Sequence, residues 1–343
     1  MKRLFCRLLL WGGLWLLAAC MREPSAVAVI QGQTMGTTYT VKYIEPQGLA
    51  RERVQQELEA LLESVNREMS TYREDSEISA FNRMGAGEAA VSAGFAEVVD
   101  EAVRLNGITR GALDVTVGPL VNLWGFGPDK KITREPTARQ LAAAAEVAGI
   151  DKISLRRSGG KAFLGKKADG VYLDLSAVAK GYGVDVLAHR LEALGVSRYL
   201  VEVGGELRGR GTNPQGQPWQ VGIEQPSLAQ GQAGSLVVPL DNMALATSGD
   251  YRNFRLDGAG QRLSHIIHPK TQRPISHSLA SVSVLAPQAV TADGLATGLF
   301  VLGEDEAMAV AEAQNLPVFL IIYRDGGFET RMSPALRRLL DEK

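Results

Sequence analysis

The chain has 343 residues, 45% of them hydrophobic, with 37 lysines and arginines against 38 aspartates and glutamates and a formal net charge of −1. That balance offers no basic surplus for nucleic acid, while the apolar fraction suffices for a sizeable core. After the N-terminal segment no apolar run is long enough to span a bilayer, which argues against a multi-span membrane protein.

The N-terminus reads as an export signal. Met1, Lys2, Arg3 and Arg7 precede the apolar run Leu8 to Leu17, and Leu17-Ala18-Ala19-Cys20 places small residues before a cysteine. A run of this length is short for a membrane span and suits a cleaved leader. The segment resembles a bacterial lipoprotein signal, which implies removal of residues 1–19, lipidation of Cys20 and a short tether over residues 20–26. The implied location is the periplasmic side of a membrane. Loss of Cys6 with the leader leaves Cys20 alone, so an intramolecular disulfide and a cysteine-based metal or redox site are excluded from the mature chain. Residues 27–343 carry no internal repeat, low-complexity tract or long linker and are expected to form one domain.

VAVIQGQTMGTTYTVKYI alternates about a glycine-containing middle and predicts two strands of a hairpin or sheet edge. Val54, Leu58, Leu61, Leu62, Val65 and Met69 keep helical spacing, and Ser70-Thr71-Tyr72 ends that helix before the polar loop REDSEIS. A second helix is expected from an N-cap at Ser92 to Gly107, and a third from Thr137 to Gly149 with Thr137 and Gln140 as a capping box. Between them the glycines, prolines and aromatics of GALDVTVGPLVNLWGFGP suggest an ordered loop packed near a site, although loop packing with no ligand is equally allowed by composition.

The stretch Tyr172 to Leu194 organises the rest. A short apolar strand, VYLDL, is expected to run into a helix with Ser176 as N-cap, Val184, Leu187, Leu191 and Leu194 as its buried stripe, and Gly195 as its stop. Gly181 and Gly183 in the first turns each cost roughly 0.8–1 kcal/mol against alanine, which points to close approach by a backbone or a ligand. Lys180 opposes the helix dipole, a mismatch of about 0.3–1 kcal/mol unless an anion sits at this end. An ordinary turn with a solvated lysine is the alternative.

Farther on the chain turns β-rich. RYLVEVGGELRGRG, WQVGIEQP, SLVVPL, MALATSG and ASVSVLAP read as strands, as do YRNFRL and QRLSHIIHP flanking the turn Asp257-Gly258-Ala259-Gly260. TADGLATGLFVLG and EDEAMAVAEAQ read as helices and PVFLIIYRDGGFET as a last hairpin. Helices and strands are partly segregated, which favours an α+β fold with largely antiparallel sheets over a doubly wound parallel one.

Three constellations could carry chemistry. Asp293 and Thr297, four apart near a helix start, place two oxygens on one face, suited to a hard cation such as Mg²⁺; helix caps explain them as well. The pair is expected at the surface, where removing Asp293 would leave the fold intact. SHIIHP holds His265 and His268, on opposite strand faces or in a strand-end bend, without the further ligands a zinc site needs. One of them could act as an acid, base or phosphate donor, or be structural. Gly204-Gly205-Glu206 and Thr247-Ser248-Gly249-Asp250 read as glycine turns, either anion-binding nests or plain hairpins. Neither a Gly-x-Gly-x-x-Gly fingerprint nor a Walker loop is present.

MGTTYTV, MSTYREDSEIS, LDVTVGPLVNLWGFGP, LDLSAVAKGYGVD, VEVGGELRGRG, ATSGDYRNF, SHIIHPKTQRP and TADGLATGLFVLG, in this order, closely resemble the ApbE family of flavin transferases. The resemblance implies a T-fold-like architecture and Mg²⁺-dependent transfer of FMN from FAD to a threonine hydroxyl of a target protein, with release of AMP. By motif position it assigns FAD contacts to Met35, Tyr72, Ala112, Leu113, Asp114, Asp174, Lys180 and Ile267. Metal positions fall on Ala177, through its carbonyl, and on Asp293 and Thr297, and the catalytic histidine on His265, with Asp293 as second candidate base. The implied partners are flavoprotein subunits of membrane redox complexes of the sodium-translocating NADH:quinone reductase and Rnf types. The chain departs from the common pattern at His268, Ala296 and Ala177, where the family often has Asp, Asp and Ser or Thr. Two rival readings are an FAD pyrophosphatase using the same site with water, and a flavin-binding lipoprotein without turnover.

Overall fold

A computed structural model describes residues 27–128, 135–224, 235–249, 254–256 and 262–341. The leader, Cys20, the tether, Asp250 and the turn Asp257-Gly258-Ala259-Gly260 lie outside the described residues.

The first half of the chain begins with strands β1 (Val27–Thr34) and β2 (Thr37–Ile44), helices α1 (Arg51–Met69) and α2 (Glu77–Arg83), strand β3 (Gly87–Val91) and helix α3 (Ala93–Ile108). Helices α4 (Gly118–Leu123) and α5 (Ala138–Glu146), strands β4 (Ile153–Ser158) and β5 (Lys161–Lys166), and helix α6 (Ala179–Ala193) follow. Strands β6 (Tyr199–Val203), β7 (Glu206–Arg210), β8 (Trp219–Glu224), β9 (Ser235–Leu240) and β10 (Met243–Gly249) come next, with the short pairs β11 (Phe254–Leu256) with β12 (Arg262–Ser264) and β13 (Ile267–His268) with β14 (Arg273–Pro274). The chain closes with β15 (Leu279–Ala286), α7 (Ala289–Leu302), α8 (Glu304–Ala313), β16 (Val318–Arg324), β17 (Gly327–Met332) and α9 (Pro334–Asp341).

Eight strands form one antiparallel sheet in the order β1-β2-β6-β7-β10-β15-β16-β17. The expected α+β class with largely antiparallel sheets is what the chain adopts. Two of its hairpins are set by two-residue loops with positive φ at both positions, Met35-Gly36 (φ 50 and 71) and Gly204-Gly205 (φ 60 and 104), the backbone such loops require. The second hairpin places Glu206 directly opposite Val203.

One face of the sheet receives α1, α6 and α7, with α3 packed against α7 and α1, and their buried side chains make the main core with Tyr39, Val41, Tyr199, Val201 and Val282. The other face carries a smaller core of Val238, Leu240, Leu245, Leu285, Phe319, Ile321 and Leu336, closed by β9 and α9. Strand β15 is therefore buried along its whole length. Helix α7 is wrapped on nearly all sides, with eleven of its fourteen residues buried, as befits a helix apolar around most of its circumference.

Several expectations change. VYLDL is extended, with Val171, Leu173 and Leu175 buried, but it joins no sheet. Its polar groups are met instead by the Asn82 side chain, which brackets the backbone of Leu173, and by Val115, whose carbonyl accepts from Asp174 N at 2.8 Å. REDSEIS contains the start of α2, capped where Ser76 Oγ accepts from Ser79 N. GALDVTVGPLVNLWGFGP includes the short helix α4. The helix from Thr137 stops at Glu146, short of Gly149, while its capping box with Gln140 forms as expected. Thr247-Ser248-Gly249 belongs to strand β10 and not to a turn. The three-stranded sheet β3-β5-β4 and the C-terminal α9 were not anticipated at all.

Candidate active site

The site begins at the N-terminus of α6. Ser176 does not cap this helix: its amide and hydroxyl both donate to Asp174 Oδ1, at 2.9 and 2.5 Å, and the cap position falls to Val178, which has no polar side chain. The exposed helix start is satisfied from elsewhere. Gly181 N donates to Asp293 Oδ2 at 3.0 Å, so the anion expected at this end is supplied by the protein itself, from α7. The approach is close enough that a Cβ at position 181 would lie 2.3 Å from the Ala289 carbonyl oxygen. At Gly183 the neighbour is Met35, whose Cε would lie 2.9 Å from an added Cβ. Both glycines thus answer to packing by the protein's own atoms.

Helix α7 returns the contact. Its first amides, Ala289 N and Val290 N, donate to Asp185 Oδ1 and Oδ2 at 3.0 and 2.9 Å, and Asp185 on α6 is held in turn by Arg208 Nη1 at 2.7 Å. Each helix thereby takes a carboxylate from the other at its positive end. This reciprocal arrangement fixes the register of α7, and with it the positions of Asp293 and Thr297.

Lys180 stands where the two helices meet. Its Nζ lies 2.7 Å from Glu206 Oε1 and 3.6 Å from Asp293 Oδ1, with 31% of the side chain still open to the cleft. Burial pulls the ammonium pKa down, but the charges of Asp293 and Glu206 outweigh it and hold the group above the ordinary lysine range. Glu206 is only 3% exposed, and burial together with the nearby Asp293 charge, against the pull of Lys180, pushes its carboxyl up to about 8. Asp293 is also raised by burial, opposed by Lys180 and the Gly181 amide. Two buried carboxylates here share one ammonium. Glu206 Oε2 has no hydrogen-bond partner among the described residues. Beside the cluster, Thr297 Oγ1 and Ser248 Oγ share a hydrogen bond of 3.0 Å.

Around these groups opens a cleft of about 420 Å³. Of the expected flavin and metal positions it brings together Tyr72, Ala112, Leu113, Asp114, Asp174, Lys180, Ile267, Ala177, Asp293 and Thr297, with His265 on the same wall. Met35 is not among the lining residues; it occupies the β1–β2 turn and packs beside Gly183. Asp293 is buried rather than at the surface as expected, so its removal would strip the Gly181 amide and Lys180 of a partner. The two histidines separate. His265 lies in the bend after β12 and faces the cleft, while His268 turns aside, its Nδ1 accepting from Lys270 N at 3.1 Å.

Asp114 and Asp174 have the same local form. Asp114 Oδ1 accepts from Thr116 N and Oγ1 at 2.8 and 2.5 Å, as Asp174 Oδ1 does from Ser176, and the backbone bond from Asp174 to Val115 sets the two turns side by side. Tyr72, 63% exposed, stands at the rim, and Val117, Val121 and Phe126 from α4 and its flanks give an apolar wall. The Trp124 indole pins this wall to the histidine loop by donating to Gln272 O at 2.8 Å.

Sequence reasoning gave Glu206 no role beyond a glycine turn. A readable signal existed: a two-residue Gly-Gly loop puts Glu206 across from Val203, on the face that Val201 and Val203 bury. Ser248 and the α4 segment were singled out, but not in these roles: Ser248 sits on strand β10 and bonds Thr297 instead of forming a turn nest, because the sheet order brings β10 beside α7.

The donor set suits one kind of cation. Among the described residues no three His, Cys, Asp or Glu side chains gather as a metal cage. Asp293 and the Thr297 hydroxyl are hard oxygen donors, and the Lys180, Glu206 and Asp293 charges sum to −1 when ionised. Donors of this kind, with one or two carboxylates and other positions left to water and substrate phosphates, fit the chemistry of Mg²⁺ better than that of a zinc or calcium cage.

Comparison with known proteins bears on the family of the chain. The ApbE family model matches residues 35–320. A Haemophilus influenzae protein named FAD:protein FMN transferase is 50% identical over 331 residues, covering 95% of each chain. The solved structure of flavin transferase ApbE from Vibrio cholerae matches with a TM-score of 0.84 at 48% identity, covering 92% of this chain and 99% of that one. That of the Pseudomonas stutzeri flavinyl transferase ApbE in its apo form matches with a TM-score of 0.84 at 39% identity, covering 92% and 96%. Similarity at this level across nearly the whole length, in sequence and in fold, is the mark of common descent: the chain belongs to the ApbE family.

Proposed function

We propose that this protein is an FAD:protein FMN transferase that moves FMN from FAD to a threonine hydroxyl of target flavoprotein subunits, releasing AMP. The observation that carries the reading is one cleft joining an apolar wall to a buried Lys180–Glu206–Asp293 charge cluster. Relatives bearing that activity in their name support it.

In this reading Tyr72, Ile267 and the α4 wall hold the flat rings of FAD, and Asp114 and Asp174 accept hydrogen bonds from its polar edges. Lys180 faces the pyrophosphate and offsets its charge. His265 accepts the proton of the attacking threonine hydroxyl. The threonine oxygen forms a bond to the FMN phosphorus as the bond from that phosphorus to the bridging oxygen breaks, and AMP leaves with the electron pair. Asp293, Thr297 and the Ala177 carbonyl would hold Mg²⁺, which when bound supplies Lewis-acid stabilisation of the phosphate oxygens. The chain's own part is mostly to hold the reactants in line and exclude water.

The same proposal takes residues 27–343 as a single transferase domain tethered through lipidated Cys20 on the periplasmic side of a membrane, with subunits of the sodium-translocating NADH:quinone reductase and Rnf type as targets. No helix among the described residues is long and apolar enough to cross a membrane. The test is one incubation of the protein with FAD, Mg²⁺ and a target subunit, read by in-gel flavin fluorescence and by AMP. AMP with a fluorescent target band supports transfer. AMP alone indicates a pyrophosphatase, and neither signal indicates a binding protein.

A further inference from the structure

Building on the reading of Asp293 as a cation ligand, we propose that Glu206 is a positioning residue: it is the seat to which the Lys180 ammonium withdraws when a divalent cation takes Asp293. Lys180 Nζ is shared, 2.7 Å from Glu206 Oε1 and 3.6 Å from Asp293 Oδ1. A divalent cation on Asp293 and an ammonium beside the same carboxylate repel strongly at such range in a low-dielectric site. Lys180 is only partly open to the cleft, so leaving its ammonium without a partner among the surrounding groups is costly. Glu206 answers both demands. It is almost wholly buried, and its Oε2 has no partner among the described residues, so it can accept a second bond from the ammonium without giving up an existing one.

Glu206 and Asp293 are the carboxylates that pair with Lys180 among the described residues. Ser248 and Thr297 are neutral and already bonded to one another, and Asp185 is taken by Arg208 and two α7 amides. The turn that carries Glu206 is shaped for the lysine stem. Gly204 has φ +60, and a Cβ there would lie 2.8 Å from Thr37 Cγ2 and 3.1 Å from Lys180 Cδ, so a larger residue would crowd both the turn and that stem. With Glu206 ionised, the exchange leaves a neutral Lys180–Glu206 pair beside an Asp293 free to bind the cation.

The test is Mg²⁺ titration of the full-length chain by calorimetry without flavin, over Glu206→Gln, Lys180→Met and the double variant. Glu206→Gln is expected to weaken Mg²⁺ binding by about 10-fold or more, since Lys180 then has only Asp293 to pair with. In the Lys180→Met background the same change should cost less than about 3-fold, because no ammonium needs a seat. Equal losses in both backgrounds would overturn the inference, reducing Glu206 to one more negative charge. A wild-type chain that takes up no Mg²⁺ overturns the cation reading and this inference with it, whereas uptake with an additive cycle overturns the inference alone. Thermal denaturation checks that each variant is folded. Should Glu206→Gln fail to fold, Glu206→Asp keeps the charge but draws the seat back by one methylene, and must weaken Mg²⁺ binding only where Lys180 is present.

Discussion

Asp185 and Asp293 are two buried carboxylates in mirrored positions, each serving the N-terminus of the other's helix, yet they are completed differently. Asp185 receives two backbone amides and an arginine, and neither of its oxygens opens on the cleft. Asp293 receives one amide and a shared lysine, and it lines the cleft beside an unpartnered glutamate oxygen. The difference separates a carboxylate that holds the architecture from one poised for a ligand. Full satisfaction lowers the energy of a buried charge, while incomplete satisfaction leaves coordination free.

The sharpest way to break this comparison is Asp185→Ala. It leaves Arg208 and the α7 amides without their partner and should lower stability by about 3–5 kcal/mol in denaturant titration. A loss under about 1 kcal/mol would mean that the helix pair does not depend on it. Asp293→Asn preserves shape and an acceptor for Gly181, so the fold should persist while FMN transfer falls by roughly 10²- to 10³-fold. If instead transfer survived at low Mg²⁺, the ligand role would be lost.

His265→Ala should reduce single-turnover transfer by roughly 10²-fold or more with FAD affinity little changed, as expected for a missing base. His268→Asp should stay active, because His268 turns away from the cleft. Parallel losses of FAD affinity and stability in His265→Ala, with turnover per bound FAD intact, would make it structural.

Acidity gives a subtler contrast. Glu206 is raised to about 8 from an ordinary 4.5, so the folded, cation-free chain keeps a proton that the unfolded chain releases. Stability from this group is therefore present below about pH 4.5 and is lost as pH rises through about 8. Wild type should lose stability over that window relative to Glu206→Gln; parallel pH curves would remove the shifted carboxyl from the account. Least affected should be the periphery, where Thr137→Ala removes a capping box and is expected to cost about 1 kcal/mol in thermal melts without altering transfer.

Much of the molecule was legible because local physics decided it. The alternation of β1 and β2, the stripe of α1, the Ser92 cap of α3 and the Thr137 capping box depend on neighbours within a few residues. The ApbE segments, each short, named the residues that the cleft later gathers, with Met35 set apart from its lining. Where local reading failed, a distant partner had won. Ser176 is a good cap by type, but Asp174 takes its hydroxyl; VYLDL has strand composition, but Asn82 and Val115 meet its backbone in place of a ladder.

By itself the sequence determined the α+β class, most helices and hairpins, and the family to which the chain belongs, because periodicity, turn glycines and motif order are properties of contiguous residues. Only the tertiary structure decided that the charge at the α6 start is answered by Asp293 on α7, 112 residues away. It alone decided that Lys180 is divided between two carboxylates and that Glu206 keeps one oxygen unpaired. The physical reason is that burial and charge pairing are set by which strands adjoin in the sheet: β7 and β10 lie next to each other under α7, and no stretch of sequence contains that adjacency.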